Sequence, residues 1–164
     1  MVDITEISAL VAAAGVVVGV FYYILEMRHQ NKVRQTDLIT RLSYDVSVNR
    51  EFLEATIDVM KTQFSDYNDF VRKYGDPISK NQVPLSFMMV GNFFEQIGVL
   101  YRNKLIDIRL VIQLFPVSLL WEKMKPLAEG MRSEYHTPGF FEYFEYLHNE
   151  MKKREQNLQH KGES

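Results

Sequence analysis

The sequence predicts an all-α protein: one N-terminal transmembrane helix that continues into a stalk, followed by a cytoplasmic helical bundle of about five to six helices. Three observations carry that expectation. Residues 7–25 hold no formal charge. Beyond them, apolar residues recur at the steps of three and four that line one face of a helix. The interruptions between these stretches fall at Gly75, Pro77, Pro84, Pro116, Pro126 and Pro138, residue types that close or open helices.

At about 1.5 Å per residue, residues 7–25 as a helix reach roughly 29 Å, close to the hydrocarbon thickness of a bilayer. A signal peptide would carry a basic segment first, whereas the charges before Ile7 are Asp3 and Glu6. A soluble core helix of this composition would need burial on every side. Arg28, Lys32 and Arg34 follow the run closely and no basic residue precedes it. Basic residues near a span stay cytoplasmic, so residues 1–6 are expected outside the cell membrane and everything after residue 25 in the cytoplasm. Phe21, Tyr22 and Tyr23 fall at the cytoplasmic end, where amphipathic rings favour the headgroup level and anchor the helix with the three basic residues. Ser8, Ala12, Gly15 and Gly19 share one stripe at steps of four, three and four. Small residues at that spacing let a second helix backbone approach, either in a homo-oligomer or in a complex with another protein. The alternative is that Gly and Ala are simply frequent in membrane helices.

Residues 26–37 are polar and free of Gly and Pro, the composition of a helical stalk. Residues 38–152 form the expected cytoplasmic domain. Leu38, Leu42, Val46, Leu53, Ile57, Met60 and Phe64 make one apolar stripe, with Asn49 interrupting its central line. Ser65 to Pro84 is irregular, with a short helix over Asp69–Tyr74 closed by Gly75. Leu85–Asn103 is apolar on two sides, through Val90, Phe94, Ile97 and Tyr101 and through Met88, Met89, Val99 and Leu100, and reads as the central helix. Between those sides runs Gly91, Glu95, Gly98 and Arg102; the glycines admit a neighbouring helix, at a propensity cost of roughly 1 kcal/mol each against alanine. Asp107 suits the cap of a helix through Phe115, and Pro116 the start of another that presents Val117, Leu120, Trp121 and Met124. Pro126 ends or kinks that helix. Thr137-Pro138 reads as cap and first turn of the last helix, with Phe140, Phe144, Leu147 and Met151 on one face. Residues 153–164 read as a frayed, solvated tail.

Composition narrows the function. The chain has no cysteine, so disulfides, thiolate chemistry and Cys-based zinc sites are excluded. A net charge of −2 gives no concentrated basic surface for nucleic acid. Glu145 and His148 have the Glu-x-x-His spacing of bundle metal sites, with Glu51, Glu54 or Glu95 as possible companions, but a dimetal site needs two such motifs. Asn92, Glu95, Gln96 and Arg102 form the most polar cluster of an apolar element, read either as the lining of a ligand site or as core hydrogen bonding. No residue is assigned to catalysis, to a cofactor or to a metal.

The single span, the charged stalk, the run Phe93-Phe94-Glu95-Gln96-Ile97-Gly98-Val99-Leu100-Tyr101, then Leu105-Ile106-Asp107 and Trp121, resemble the prokaryotic family catalogued as domain of unknown function 4760. That resemblance implies a membrane-anchored helical domain and carries no activity. The expected role is a protein-interaction scaffold or regulator held at the membrane. The alternatives are an accessory subunit of a larger membrane complex, and a ligand- or metal-binding sensor or enzyme.

Overall fold

The computed structural model describes the backbone of residues 4–162 and the side chains of residues 18–157. Seven helices and no strand make up the described residues: α1 (Ile4–Val48), α2 (Arg50–Lys61), α3 (Tyr67–Tyr74), α4 (Gln82–Arg102), α5 (Ile108–Leu114), α6 (Val117–Glu134) and α7 (Glu142–Gly162).

Helix α1 is one element of 45 residues. Its polar middle is supported along the axis, where Gln30 donates to Glu26 at 3.0 Å and Arg41 pairs with Asp37 at 3.0 Å. Exposed pairs of this spacing contribute about 0.3–0.5 kcal/mol each. Among its described residues, it is the C-terminal third that meets the rest of the chain. Ile39 is fully buried, Leu38, Leu42 and Val46 pack on the core, and the Gln35 side chain donates to the Lys104 carbonyl at 2.7 Å.

Asn49 ends α1 and starts α2. Its backbone leaves helical geometry, and its side-chain oxygen accepts from the Phe52 N–H at 3.0 Å. It is an N-cap, not a polar residue within a continuing stripe. The break shifts the buried face by one residue: Phe52, Ala55 and Val59 are buried, while Leu53 and Ile57, expected inside, are 45% and 49% exposed.

The centre of the domain is α4, which begins before Pro84 and is buried along Phe87, Val90, Phe94 and Ile97. Helix α2 packs antiparallel on one side of it: Asp58 accepts from Ser86 and Gln82, and Phe52 meets Phe93 edge to face at 4.9 Å. Helices α6 and α7 cover the other side through Trp121, Met124, Phe144 and Leu147, and Phe94 stacks on Phe144 at 4.9 Å. Trp121 and Phe144 therefore do build the core, with Phe140 partly buried against it. Helix α3 begins two residues earlier than expected, because Asp66 caps it, and Gly75 closes it with a φ of 93°. Asp107 caps α5. Helix α6 continues through Pro126 to Glu134. Proline removes its own N–H from the ladder and crowds the carbonyl one turn back, but Leu127, Ala128 and Met131 are buried beyond it, and that packing holds the helix together.

The last helix differs most from expectation. Thr137 and Pro138 form a turn, with the Phe140 N–H bonded to the Thr137 carbonyl, and α7 starts only at Glu142. Phe141, in the left-handed region at φ 53°, separates the two. Nor does the chain fray at Lys152. It stays helical to Gly162, in keeping with a run of Lys, Arg, Glu and Gln, although residues 152–157 are exposed.

Candidate functional site

The four residues of the polar cluster do not converge. Glu95 and Arg102 face α7, whereas Asn92 and Gln96 are exposed on the neighbouring face of α4. Each half has its own physical role.

On the α7 side, the stripe Gly91–Glu95–Gly98–Arg102 is a seat for the start of that helix. The residue before its first turn, Phe141, has a phenyl ring that cannot accept a hydrogen bond. The orphan N–H groups of the first turn therefore need an acceptor from elsewhere. Glu95 supplies it: one carboxylate oxygen accepts from the Phe144 N–H at 2.8 Å, and the Tyr143 N–H contributes as well. The cap is thus delivered from a neighbouring helix. A Cβ at Gly91 would lie 2.1 Å from the Phe141 ring, and one at Gly98 would lie 2.2 Å from the Tyr143 carbonyl oxygen. The glycines admit the neighbouring helix as their spacing suggested. Arg102 lies 5.0 Å above the Tyr146 ring, which also stacks with Tyr101. Arg132 completes the seat from α6, donating to the Phe140 carbonyl at 2.8 Å and to Glu145 at 2.6 Å.

Burial pushes the Glu95 carboxyl above its ordinary value of 4.5, against the pull of the two backbone N–H groups. As pH rises, the unfolded chain therefore loses this proton first. The stability linked to it is complete below about pH 4.5 and is lost as pH rises through the higher folded value. Glu95→Gln keeps an acceptor oxygen and has no proton to lose. Its stability relative to the parent protein should climb over that interval and then level off, as urea unfolding between about pH 4 and 7 would read. A difference independent of pH contradicts the assignment. Glu95→Ala, which removes the acceptor, should cost about 1–2 kcal/mol below about pH 4.5, and less as pH rises through the same interval because alanine has no proton to lose either.

On the other side, Asn92 and Gln96 line an open groove between α2 and α4 with Phe52, Leu85, Met88 and Met89. Leu85 is 49% exposed and Met89 40%. The outer face of α4 through Leu85, Met89, Asn92, Gln96 and Val99 carries no formal charge, which suits docking of a polypeptide better than bond-making chemistry. The spacing of 85, 89, 92 and 96 was readable in the sequence; that α2 forms a wall beside it was not.

Glu145 and His148 do not form a ligand pair. Arg132 holds Glu145, while His148, 2% exposed, lies 6.2 Å from the Trp121 ring and 3.4 Å from Glu122. Burial lowers the His148 pKa, which favours the neutral ring. Glu51 and Glu54 lie on the exposed side of α2. Among the described residues no group of three or more His, Asp or Glu side chains could hold a metal ion.

Of the packing stripe in residues 7–25, Ser8, Ala12 and Gly15 lie outside the described side chains; Gly19 has nothing within 4 Å of a built Cβ. Phe21, Tyr22 and Tyr23 are 64%, 69% and 65% exposed, and Arg28, Lys32 and Arg34 are exposed as well. The helix of the described residues that is long and apolar enough to cross a membrane is α4, which serves here as the core helix of the domain.

No curated protein and no solved structure matches the chain. A family model does, over residues 9–151, from within α1 to the last buried residue of α7, and the chain accordingly belongs to the family described as Domain of unknown function (DUF4760).

Proposed function

We propose that this protein is a single-pass membrane protein, N-terminus outside, whose cytoplasmic helical domain binds another protein as a scaffold or regulator. The observation that carries the reading is the stretch Val18–Leu25. These eight residues lie on every side of α1, all are exposed, and Val18, Val20, Phe21, Tyr22, Tyr23 and Leu25 are each more than half exposed. A helix apolar all round with no covering from its own domain suits lipid. The basic residues after it support a cytoplasmic domain. The α4 wall of the α2–α4 groove, uncharged and facing Glu51 across from α2, supports a protein as the ligand.

The second reading, an accessory subunit of a larger membrane complex, is favoured by the open surroundings of Gly19. Native purification in mild detergent, with identification of co-purifying proteins, tests both. Under the first reading a partner is retained by the intact domain and lost with Met89→Glu and Gln96→Glu in the groove. Under the second it is lost with Gly15→Leu and Gly19→Leu. Recovery of the chain alone in both cases contradicts the interaction role.

A further inference from the structure

We infer that the corner between α4 and α5, together with the adjoining face of α1, is a binding surface for anionic lipid headgroups. The inference rests on the reading of residues 7–25 as a membrane span, and it concerns how the domain sits beneath that span.

The chain as a whole is slightly acidic, at −2. Several of its basic residues nevertheless meet at one end of the domain, where α1 passes the α4–α5 corner. Gln35 of α1 bonds the Lys104 carbonyl at 2.7 Å, so the corner Asn103–Leu105 lies against α1 at that level. Lys32 and Arg109 line one cleft at the junction, and Arg34 and Lys104 line another, beside exposed Leu105. Arg102 stands just before the corner on Tyr146, and Arg154 of α7 is near enough to stabilise the Asp107 carboxylate. The acid at this junction, Asp107, is held by Arg109 at 2.8 Å.

The location matters as much as the sign. From Leu25 to Gln35 is ten residues, roughly 15 Å of helix. The headgroup layer takes up about 5–7 Å of that, leaving about 8–10 Å, close to a Debye length at physiological ionic strength. Long Lys and Arg side chains narrow the remainder. Because α1 is one helix from the span to the buried Ile39, the corner stays near the leaflet, and a tilt of that helix towards anionic headgroups brings it into contact. A polybasic surface so close to a leaflet recognises anionic headgroups. A free phosphate would meet the same side chains, but only a lipid surface engages all of them from one side.

The chain has no cysteine, so a single Asn103→Cys provides a unique site for a fluorophore at the corner. The full-length protein is placed in lipid nanodiscs containing a headgroup-attached nitroxide quencher. The discs are either phosphatidylcholine alone or phosphatidylcholine with about 30% phosphatidylglycerol. Quenching at residue 103 should be at least about threefold greater in the anionic discs, and about 0.5 M salt should abolish the difference. Lys32→Gln, Arg34→Gln and Lys104→Gln together should abolish it too, without the salt. A fluorophore at Ile78→Cys, beyond the opposite end of α4 and roughly 30 Å of helix away, should respond to neither lipid nor salt. Equal quenching at residue 103 in both bilayers, or a lipid effect that survives the salt, overturns the inference. Failure to co-elute with neutral discs overturns the span and this inference together, whereas co-elution with lipid-independent quenching overturns this inference alone.

Discussion

Gly98→Ala should destabilise the domain by about 1–3 kcal/mol, although the same change in an ordinary helix interior stabilises by roughly 1 kcal/mol. The sign is the point. A methyl group at residue 98 would lie 2.2 Å from the Tyr143 carbonyl oxygen and 2.5 Å from its carbon. Both are backbone atoms in the first turn of α7, so the contact cannot be relieved by a side-chain rotation. Either α7 moves off α4, lengthening the Glu95 cap, or α4 bends. Urea unfolding of the purified protein reads the difference. Gly19→Ala serves as the contrast, since a Cβ there meets nothing within 4 Å and should leave the domain's midpoint unchanged. A stabilised Gly98→Ala variant would remove the close approach of α7 from the account.

Phe94→Ala should cost more, about 3–5 kcal/mol, a large part of the 5–15 kcal/mol typical of a domain. Phe94 is 1% exposed. It stacks on Phe144 of α7 at 4.9 Å and meets Phe93 and Phe115 edge to face at 5.1 and 5.9 Å. Its removal leaves a cavity between α4, α7 and the start of α6. Phe94→Leu should recover more than half of the loss, because it restores most of the volume without the ring geometry. Thermal unfolding followed by circular dichroism checks both. An alanine variant within about 1 kcal/mol of the parent would mean that the α4–α7 contact is not the centre of the core.

The sequence made the local punctuation legible and the non-local substitutions for it illegible. Asp107 and Gly75 were readable because each acts on its own helix end, a few residues away. Asn49 was misread because a one-residue break lets an apolar stripe appear to continue at helical spacing. Once the backbone turns there, the inward face passes to Phe52, Ala55 and Val59, and Leu53 and Ile57 are left outside. The start of α7 was misread for the opposite reason. Thr137-Pro138 is a good local signal, but the acceptor that caps the helix is Glu95, on another element. The stripe Gly91–Glu95–Gly98–Arg102 was visible as a packing face, while the identity of the helix seated on it required the fold. The polar residues read as one cluster, whether ligand lining or core hydrogen bonding, because Asn92, Glu95 and Gln96 lie within about one helical turn. Their side chains lie far enough apart around the helix for Glu95 to face α7 and the two amides to face a groove.

The central claim is that residues 7–25 cross the membrane with the helical domain on the cytoplasmic side. It is tested most directly by single cysteines, Asp3→Cys before the span and Ile78→Cys on the exposed far loop of the domain, probed with a membrane-impermeant thiol reagent on intact cells. The account predicts labelling at residue 3 on intact cells and labelling at residue 78 only after the membrane is opened. Labelling of residue 78 on intact cells, or recovery of the protein in the soluble fraction, would contradict it.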